Sequence, residues 1–457
     1  MIPLVQALRL PPDVRLALVG AGGKTSALFQ IARELPPPVF VTATTHLAEA
    51  ELDLADEWQQ LDDPARVELV GRQGGEVVKL FIGALDETGR RQGLAAPVLE
   101  RLKAIAEGQR IPLLIEADGS RRLPLKAPGD HEPALPFSDL PGGARPALDM
   151  VVVVAGLTGL GKPLGPEWVH RPERFAALTG EALGAPLSVQ AVGRLLLHPQ
   201  GGLKNIPQGV RRVVLLNQAD TSELQSLAYS LIGGSGGEIN LLSEFNAVVV
   251  ASLQSKKIWA VHEPVAGVIL AAGGGSRFGG AKQMLAWQGE TLVHRAARTA
   301  LEGGLYPVIV VTGAYAGEIQ AAVADLPVRL AHNPNWEAGQ GGSVGVGVDA
   351  LPERLGAVVF LLADQPLVSP DLIRGLVEAH AESLPAILAP LAGGRRANPV
   401  LFDRATFADL RSLQGDQGGR QLFARYAPAW LPWHDESILL EIDTPEDYRR
   451  FQELDSR

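Results

Sequence analysis

An apolar run that breaks off into glycines does most to limit how this chain can fold. Val268-Ile269-Leu270-Ala271-Ala272 leads directly into Gly273-Gly274-Gly275, and the loop continues through Ser276, Arg277 and Phe278 to Lys282. A short apolar run bounded by a loop suits a buried strand. Glycines let the backbone turn sharply and bring its N–H groups close to an anion. Arg277 and Lys282 add full positive charges where a triphosphate would sit. A second loop of the same kind lies near the start. There Val14–Val19 runs into Gly20-Ala21-Gly22-Gly23-Lys24-Thr25, followed by a helical run to Leu35.

Further apolar runs recur between helical segments: Val39–Thr42, Ile111–Ile115, Met150–Val154 and Val213–Leu216, then Val308–Thr312, Val328–Ala331, Val358–Leu362 and Ile387–Pro390. Strands alternating with helices predict mostly parallel sheets covered on both faces. At 457 residues the chain exceeds one ordinary core. The pattern predicts two tandem three-layer α/β domains, over 1–250 and 265–457, joined by a linker over 251–264. The net charge of −10 argues against a general nucleic-acid binder. No apolar run approaches the roughly 20 residues of a membrane helix. The N-terminus lacks a basic region followed by a long apolar segment, so no membrane association and a cytoplasmic location are expected. With no cysteine, any metal must bind to oxygen or imidazole.

Asp364 follows the run Val358–Ala363 and precedes Gln365-Pro366. A carboxylate at the C-terminal edge of a buried strand sits where α/β sheets bind ligands. Mg2+ prefers carboxylate oxygen plus water, which makes Asp364 the first candidate ligand. Asp443 also follows an apolar run, and two roles stay open for it: metal ligand, or N-cap of the helix that starts at Pro445. The segment Asn333–Val344 offers amides and a hydroxyl to a base edge, with Gly341 and Ser343 assigned to the nucleotide together with Leu270, Ala271, Ala272, Gly273, Gly274 and Thr312. Arg396, Asn398, Asp416 and Arg420 lie in two further polar loops and are assigned to the acceptor.

These motifs occur in an order that resembles the molybdenum cofactor nucleotidyltransferases: the glycine loop with Lys282-Gln283-Met284-Leu285, Asn333-Pro334 with Gly339-Gln340-Gly341, Ala363-Asp364-Gln365-Pro366, Asn398-Pro399-Val400, the Gly415-Asp416 loop and Asp443-Thr444-Pro445-Glu446-Asp447. The resemblance covers residues 265–457 and implies a Rossmann-like nucleotidyltransferase domain. Ala272, where the guanylyltransferase branch has glycine, and Gln365, where that branch more often has methionine, resemble the cytidylyltransferase branch. The implied reaction joins CMP from CTP to molybdenum-bound molybdopterin and releases pyrophosphate, with Mg2+ as cofactor and Arg277, Lys282 and Asp364 as catalytic groups.

In the N-terminal half, Gly22-Gly23-Lys24-Thr25 resembles a P-loop whose first glycine is missing, since Leu18 and Val19 stand where it would fall. A P-loop-like domain binding ATP or GTP is expected, with Lys24 on phosphates and Thr25 on Mg2+. Glu116 and Asp118 end another apolar run and are candidate metal ligands. Asn217-Gln218-Ala219-Asp220 resembles a base-reading motif with Gln218 in place of lysine, which assigns Asn217 and Asp220 to the nucleotide. Thr42–His46, Glu116–Pro128 and Gly161–Glu173 resemble the family of selenium-dependent hydroxylase accessory proteins. That resemblance implies a maturation role and an apo molybdenum hydroxylase as partner. His46 and His170 are further candidates for metal or phosphate. Two other functions stay open: a sugar- or polyol-phosphate nucleotidyltransferase, and a non-catalytic cofactor chaperone.

Overall fold

The computed structural model describes residues 2–70, 75, 77–87, 89–136, 147–233, 239–275, 278–416 and 418–455. Its contacts divide the chain into two compact units, Met1–His262 and Glu263–Arg457. Each unit is an α/β fold around one main sheet.

The first sheet has nine strands among the described residues. From one edge they run Lys257–His262, Ala247–Ser252, Arg211–Asn217, Met150–Gly156, Arg15–Gly20, Leu113–Glu116, Val39–Ala43, Val78–Ile82 and Glu57–Gln60. All neighbours are parallel except the first pair, a hairpin. The expected linker over 251–264 is therefore corrected. It holds the end of the first arm of this hairpin, its turn and its second arm Lys257–His262, with Val249 opposite Val261. The second arm's alternating burial marks an edge strand with one face on the core.

The second sheet has eight strands among the described residues, with Val265–Leu270 and Ala357–Leu362 paired in parallel at its centre. On one side lie Val308–Thr312 and Arg329–His332, both parallel. On the other lie Val400–Asp403 and Ile387–Ala392, antiparallel. The sheet is thus mixed, not wholly parallel. Alternate residues of the first central strand face opposite layers. Val265 and Ile269 pack with Val293, Ala297, Leu372 and Ile373 from two helices. Ala266 and Val268 pack with Val344 and Val348 of helix Gln340–Asp349. A fully buried Val, Leu or Ile contributes about 1.5–3 kcal/mol, so both faces hold the strand in place. The chain leaves Val265–Leu270 toward one edge and returns on its other side as Ala357–Leu362. The carboxyl ends of these two strands form a topological switch point, the usual place for a ligand crevice.

Candidate functional site

The glycine loop leaves the central strand at this switch point. Gly275 has φ +65°, and a side chain there would meet the carbonyl oxygen of Gly280, so only glycine closes the turn. Gln283, which sequence reasoning did not assign, braces the loop from beneath. Its Nε2 donates to the carbonyls of Ala271 at 3.0 Å and Gly273 at 2.9 Å. A cavity of about 360 Å3 opens over the loop, lined by Leu270 through Gly275, Lys282, Trp336, Gln340, Ser343, Asp364 and Asp416 among others.

Three charged side chains meet at its edge. The Lys282 ammonium donates to Asp364 and, at 2.9 Å, to Asp443. Burial alone would lower the lysine, but the two carboxylates outweigh it and hold Lys282 above its ordinary value. The Asp443 side chain lies on Lys282 and does not cap the last helix. Thr444 caps the last helix, because Asp447 N–H donates to Thr444 Oγ1 at 3.2 Å while Asp447 accepts from Thr444 N–H at 2.9 Å. Asp364 Oδ1 is buried and lacks a hydrogen-bond partner among the described residues. Among the described residues no group of three or more His, Asp or Glu stands ready for a metal. A pair of carboxylates is nonetheless what Mg2+ needs when substrate phosphates and water complete its shell.

A second cavity, of about 190 Å3, adjoins the first through shared Leu270, Gln340 and Leu362. Arg396, Asn398 and Arg420 line it. Burial and then the nearby Arg420 push Arg396 below its ordinary value, and Arg396 also lies over the Phe423 ring at 5.2 Å. Two arginines close enough to repel suit a phosphate between them.

Other expectations need correction. Asp416 lines the glycine-loop cavity, not the arginine cavity. Thr312 is buried at its strand end, its carbonyl accepting from Asn333 N–H, and Gly341 donates to the Gly415 carbonyl at 2.8 Å; neither lines these two cavities. Gln365 is buried with its amide on Glu441 at 2.6 Å and lines neither of these two cavities. Arg277 lies outside the described residues.

In the N-terminal unit the glycine loop joins the strand Arg15–Gly20 to the helix Lys24–Glu34. Lys24 is 3% exposed. Its ammonium donates to the Gly20 carbonyl at 2.8 Å and lies 3.3 Å from Asp118 and 3.6 Å from Glu116. Asp118 is not placed as a metal ligand. Its oxygens take Gly20 N–H, Lys24 and Lys126, the last at 2.9 Å. Glu116 stands beside Thr25, whose hydroxyl donates to it at 2.8 Å, and both line a cavity of about 470 Å3. Burial raises Glu116, against the pull of Lys24 and the Thr25 hydroxyl.

Asn217 and Asp220 do not present a base-reading edge. Asn217 donates to the Gly22 carbonyl at 2.6 Å and accepts from Leu253 N–H at 3.0 Å. Gly23, at φ +124°, leaves the space that this amide fills. Asp220 accepts from the Ser252 hydroxyl. His46 sits 3.1 Å from Asp86, and both His46 and His170 line the large cavity. No helix among the described residues is long and apolar enough to cross a membrane.

Comparison with known proteins places both units. The MobA-like NTP transferase domain matches residues 267–429, and the YqeC protein family matches residues 16–173. The uncharacterized protein YqeC of Escherichia coli (strain K12) is 36% identical over 46% of this chain and 77% of its own length. Nicotine blue oxidoreductase of Paenarthrobacter nicotinovorans is 33% identical over 41% of this chain and 95% of its own. Molybdenum cofactor cytidylyltransferase of Escherichia coli (strain K12) is 28% identical over 40% of this chain and 92% of its own.

Proposed function

The chain belongs to the MobA-like NTP transferases through its C-terminal unit and to the YqeC family through its N-terminal unit, and we propose that it transfers CMP from CTP to molybdenum-bound molybdopterin. The observation that carries this reading is the join of two cavities: a glycine loop with Lys282, Asp364 and Asp443 on one side, and Arg396 with Arg420 on the other. The first suits a nucleoside triphosphate and the second a phosphate acceptor.

The chemistry asks for positioning and charge neutralisation, with no protein nucleophile. An acceptor phosphate oxygen attacks the α-phosphorus of CTP, a new P–O bond forms, and the bond to pyrophosphate breaks. Loop N–H groups and Lys282 would hold the triphosphate. Arg396 and Arg420 would aim the acceptor. Asp364 and Asp443 would hold Mg2+, which supplies charge stabilisation for the transferring group when bound; the partnerless Asp364 Oδ1 fits that role.

The N-terminal unit is read as a nucleotide-binding maturation domain for a molybdenum hydroxylase. Support comes from Thr25 and Glu116, hydrogen-bonded to each other at the start of the helix and both lining the large cavity. It would bind ATP or GTP with Mg2+ there.

The test is to incubate the full chain with Mg2+, molybdenum-loaded molybdopterin and either CTP or GTP, then identify the dinucleotide and measure pyrophosphate. A cytosine dinucleotide formed without any partner protein is expected. No pyrophosphate with either nucleotide would turn the reading toward a non-catalytic chaperone, and turnover with a sugar phosphate instead would reassign the acceptor.

A further inference from the structure

The large cavity of the N-terminal unit carries more positive charge than its glycine loop uses. Arg90, Arg121, Arg122 and Arg171 line it together with His46 and His170. Three carboxylates line it too, and each already has a partner. Glu116 takes the Thr25 hydroxyl, Glu51 accepts Ala48 N–H at 2.9 Å, and Glu132 accepts from Lys126 at 2.9 Å and Arg171 at 2.7 Å. The guanidinium groups of Arg90, Arg121 and Arg122 carry no carboxylate partner among the described residues, although the Arg90 backbone N–H donates to Asp86 at 2.9 Å. His170 feels the same surplus: burial first, then Arg171, Lys126 and Arg121, lower it to about 4, so the imidazole stays neutral.

The backbone gives a second, independent observation. Leu123 N–H donates to the Ser120 carbonyl at 3.0 Å, closing a tight turn. Its two central residues are Arg121 at φ +51° and Arg122 at φ +61°. Both are left-handed, the geometry for which Asn-Gly is the natural sequence. This chain places two long cations there instead. A pair of residues held in a disfavoured conformation at a cavity rim points to a function that needs their side chains.

We propose that Arg121 and Arg122, with Arg90, form a binding subsite for a phosphate-bearing anion, distinct from the glycine-loop contacts of Lys24. Guanidinium groups without a carboxylate partner are suited to bidentate phosphate recognition. The phosphate belongs either to the end of a nucleoside triphosphate seated near Thr25 or to a separate phosphate ester.

Arginine-selective modification of the full chain with phenylglyoxal, mapped by peptide mass spectrometry, reads these residues one by one. Millimolar inorganic phosphate or pyrophosphate should slow modification of Arg121 and Arg122 by about tenfold, the size of one lost charge-assisted contact. Protection by Mg–ATP at much lower concentration assigns the phosphate to a nucleotide. Protection by phosphate and pyrophosphate with Mg–ATP ineffective assigns it to a separate ester. The R121N/R122G chain has a better sequence for the turn, so its Tm should equal or exceed that of the parent, while anion protection of Arg90 is lost. Equal reactivity of Arg121 and Arg122 with and without every anion overturns the proposal. So does an R121N/R122G chain whose Arg90 stays protected as before.

Discussion

The two glycine loops use the same ingredients to different ends. Each leaves a central parallel strand, each holds a lysine, and each is braced by a side-chain amide, Asn217 on Gly22 and Gln283 on Ala271 and Gly273. In the N-terminal unit the lysine opens a helix and is sealed between buried acids; Lys24, Glu116 and Asp118 are 3%, 7% and 2% exposed. In the C-terminal unit the lysine stands on a short turn at a cavity edge, and side-chain exposure is 26% for Lys282 and 41% for Asp443. The first arrangement ties a loop to its sheet. The second keeps charge within reach of a ligand.

The largest expected effect comes from the C-terminal site. Asp364→Ala should lower nucleotidyl transfer by ~10²–10³-fold, the usual loss for one electrostatic stabiliser. Because Lys282 keeps Asp443 and the buried Asp364 Oδ1 has no hydrogen-bond partner to lose among the described residues, the fold should survive, with circular dichroism and thermal melting close to those of the parent. Near-normal turnover at saturating Mg2+ would remove Asp364 from the machinery.

The lysines should then separate on stability. Lys24→Ala strands two buried carboxylates and should destabilise the N-terminal unit by about 3 kcal/mol, toward the low end for a broken buried pair. Lys126 still serves Asp118, and Glu116 can take up a proton. Lys282→Ala should cost less than Lys24→Ala, because its side chain is 26% exposed and that of its partner Asp443 is 41% exposed, yet impair transfer. Denaturant melts of both variants measure this directly. Equal destabilisation would erase the distinction between the loops.

A smaller effect appears with pH. Burial works against ionisation of Glu132 and Glu290, yet hydrogen bonds from Arg171, the Gly129 N–H and Lys126 hold the former at about 2, and Arg298, His294 and Arg295 hold the latter at about 2. Between their ordinary value of 4.5 and about 2, these carboxyls bind fewer protons in the folded chain than in the unfolded one. Stability therefore rises with pH across that window and is lost as pH falls through it. Each contributes on the order of 1–3 kcal/mol above the window. Glu132→Gln should cost more than Glu290→Gln, because it leaves Lys126 short of a partner at 1% side-chain exposure, whereas Arg298 is 36% exposed. Acid titration of unfolding for the two variants decides the order.

Much of this was legible from residue spacing. Apolar runs ending in glycine or aspartate placed both central strands and Asp364, because buried parallel strands leave continuous signatures. The hairpin over Ala247–His262 was missed because Lys256, Lys257 and His262 read as a boundary, and an edge strand buries only one face. The brace by Gln283 was not legible, since a glutamine beside a glycine loop could as well face solvent. Nor was the left-handed pair Arg121-Arg122: turn signals rest on glycine and asparagine, and this turn has neither. Asn217 was misassigned for a related reason. A motif specifies residue types, but only the packed strands show that its amide faces Gly22.

The smallest effect tests which residue the C-terminal loop turns toward the base. Selectivity for CTP over GTP was drawn from Ala272 and Gln365, and only Ala272 lines the cavity. Gln365 instead holds Glu441 beside the carboxylates, so its replacement should alter kcat for both nucleotides alike. Ala272 narrows the space above the loop by one methyl group. One methyl is worth about tenfold or less between competing substrates, and base-edge hydrogen bonds left unpaired by the wrong base must supply the rest. The parent should therefore prefer CTP, and Ala272→Gly should lower the CTP-to-GTP ratio of kcat/KM by up to roughly tenfold without reversing it. Gln365→Met should leave that ratio unchanged. A parent that uses both nucleotides equally well breaks the cytidylyl reading, and a ratio that moves with Gln365 but not with Ala272 would shift selectivity from the loop to the carboxylate side of the cavity.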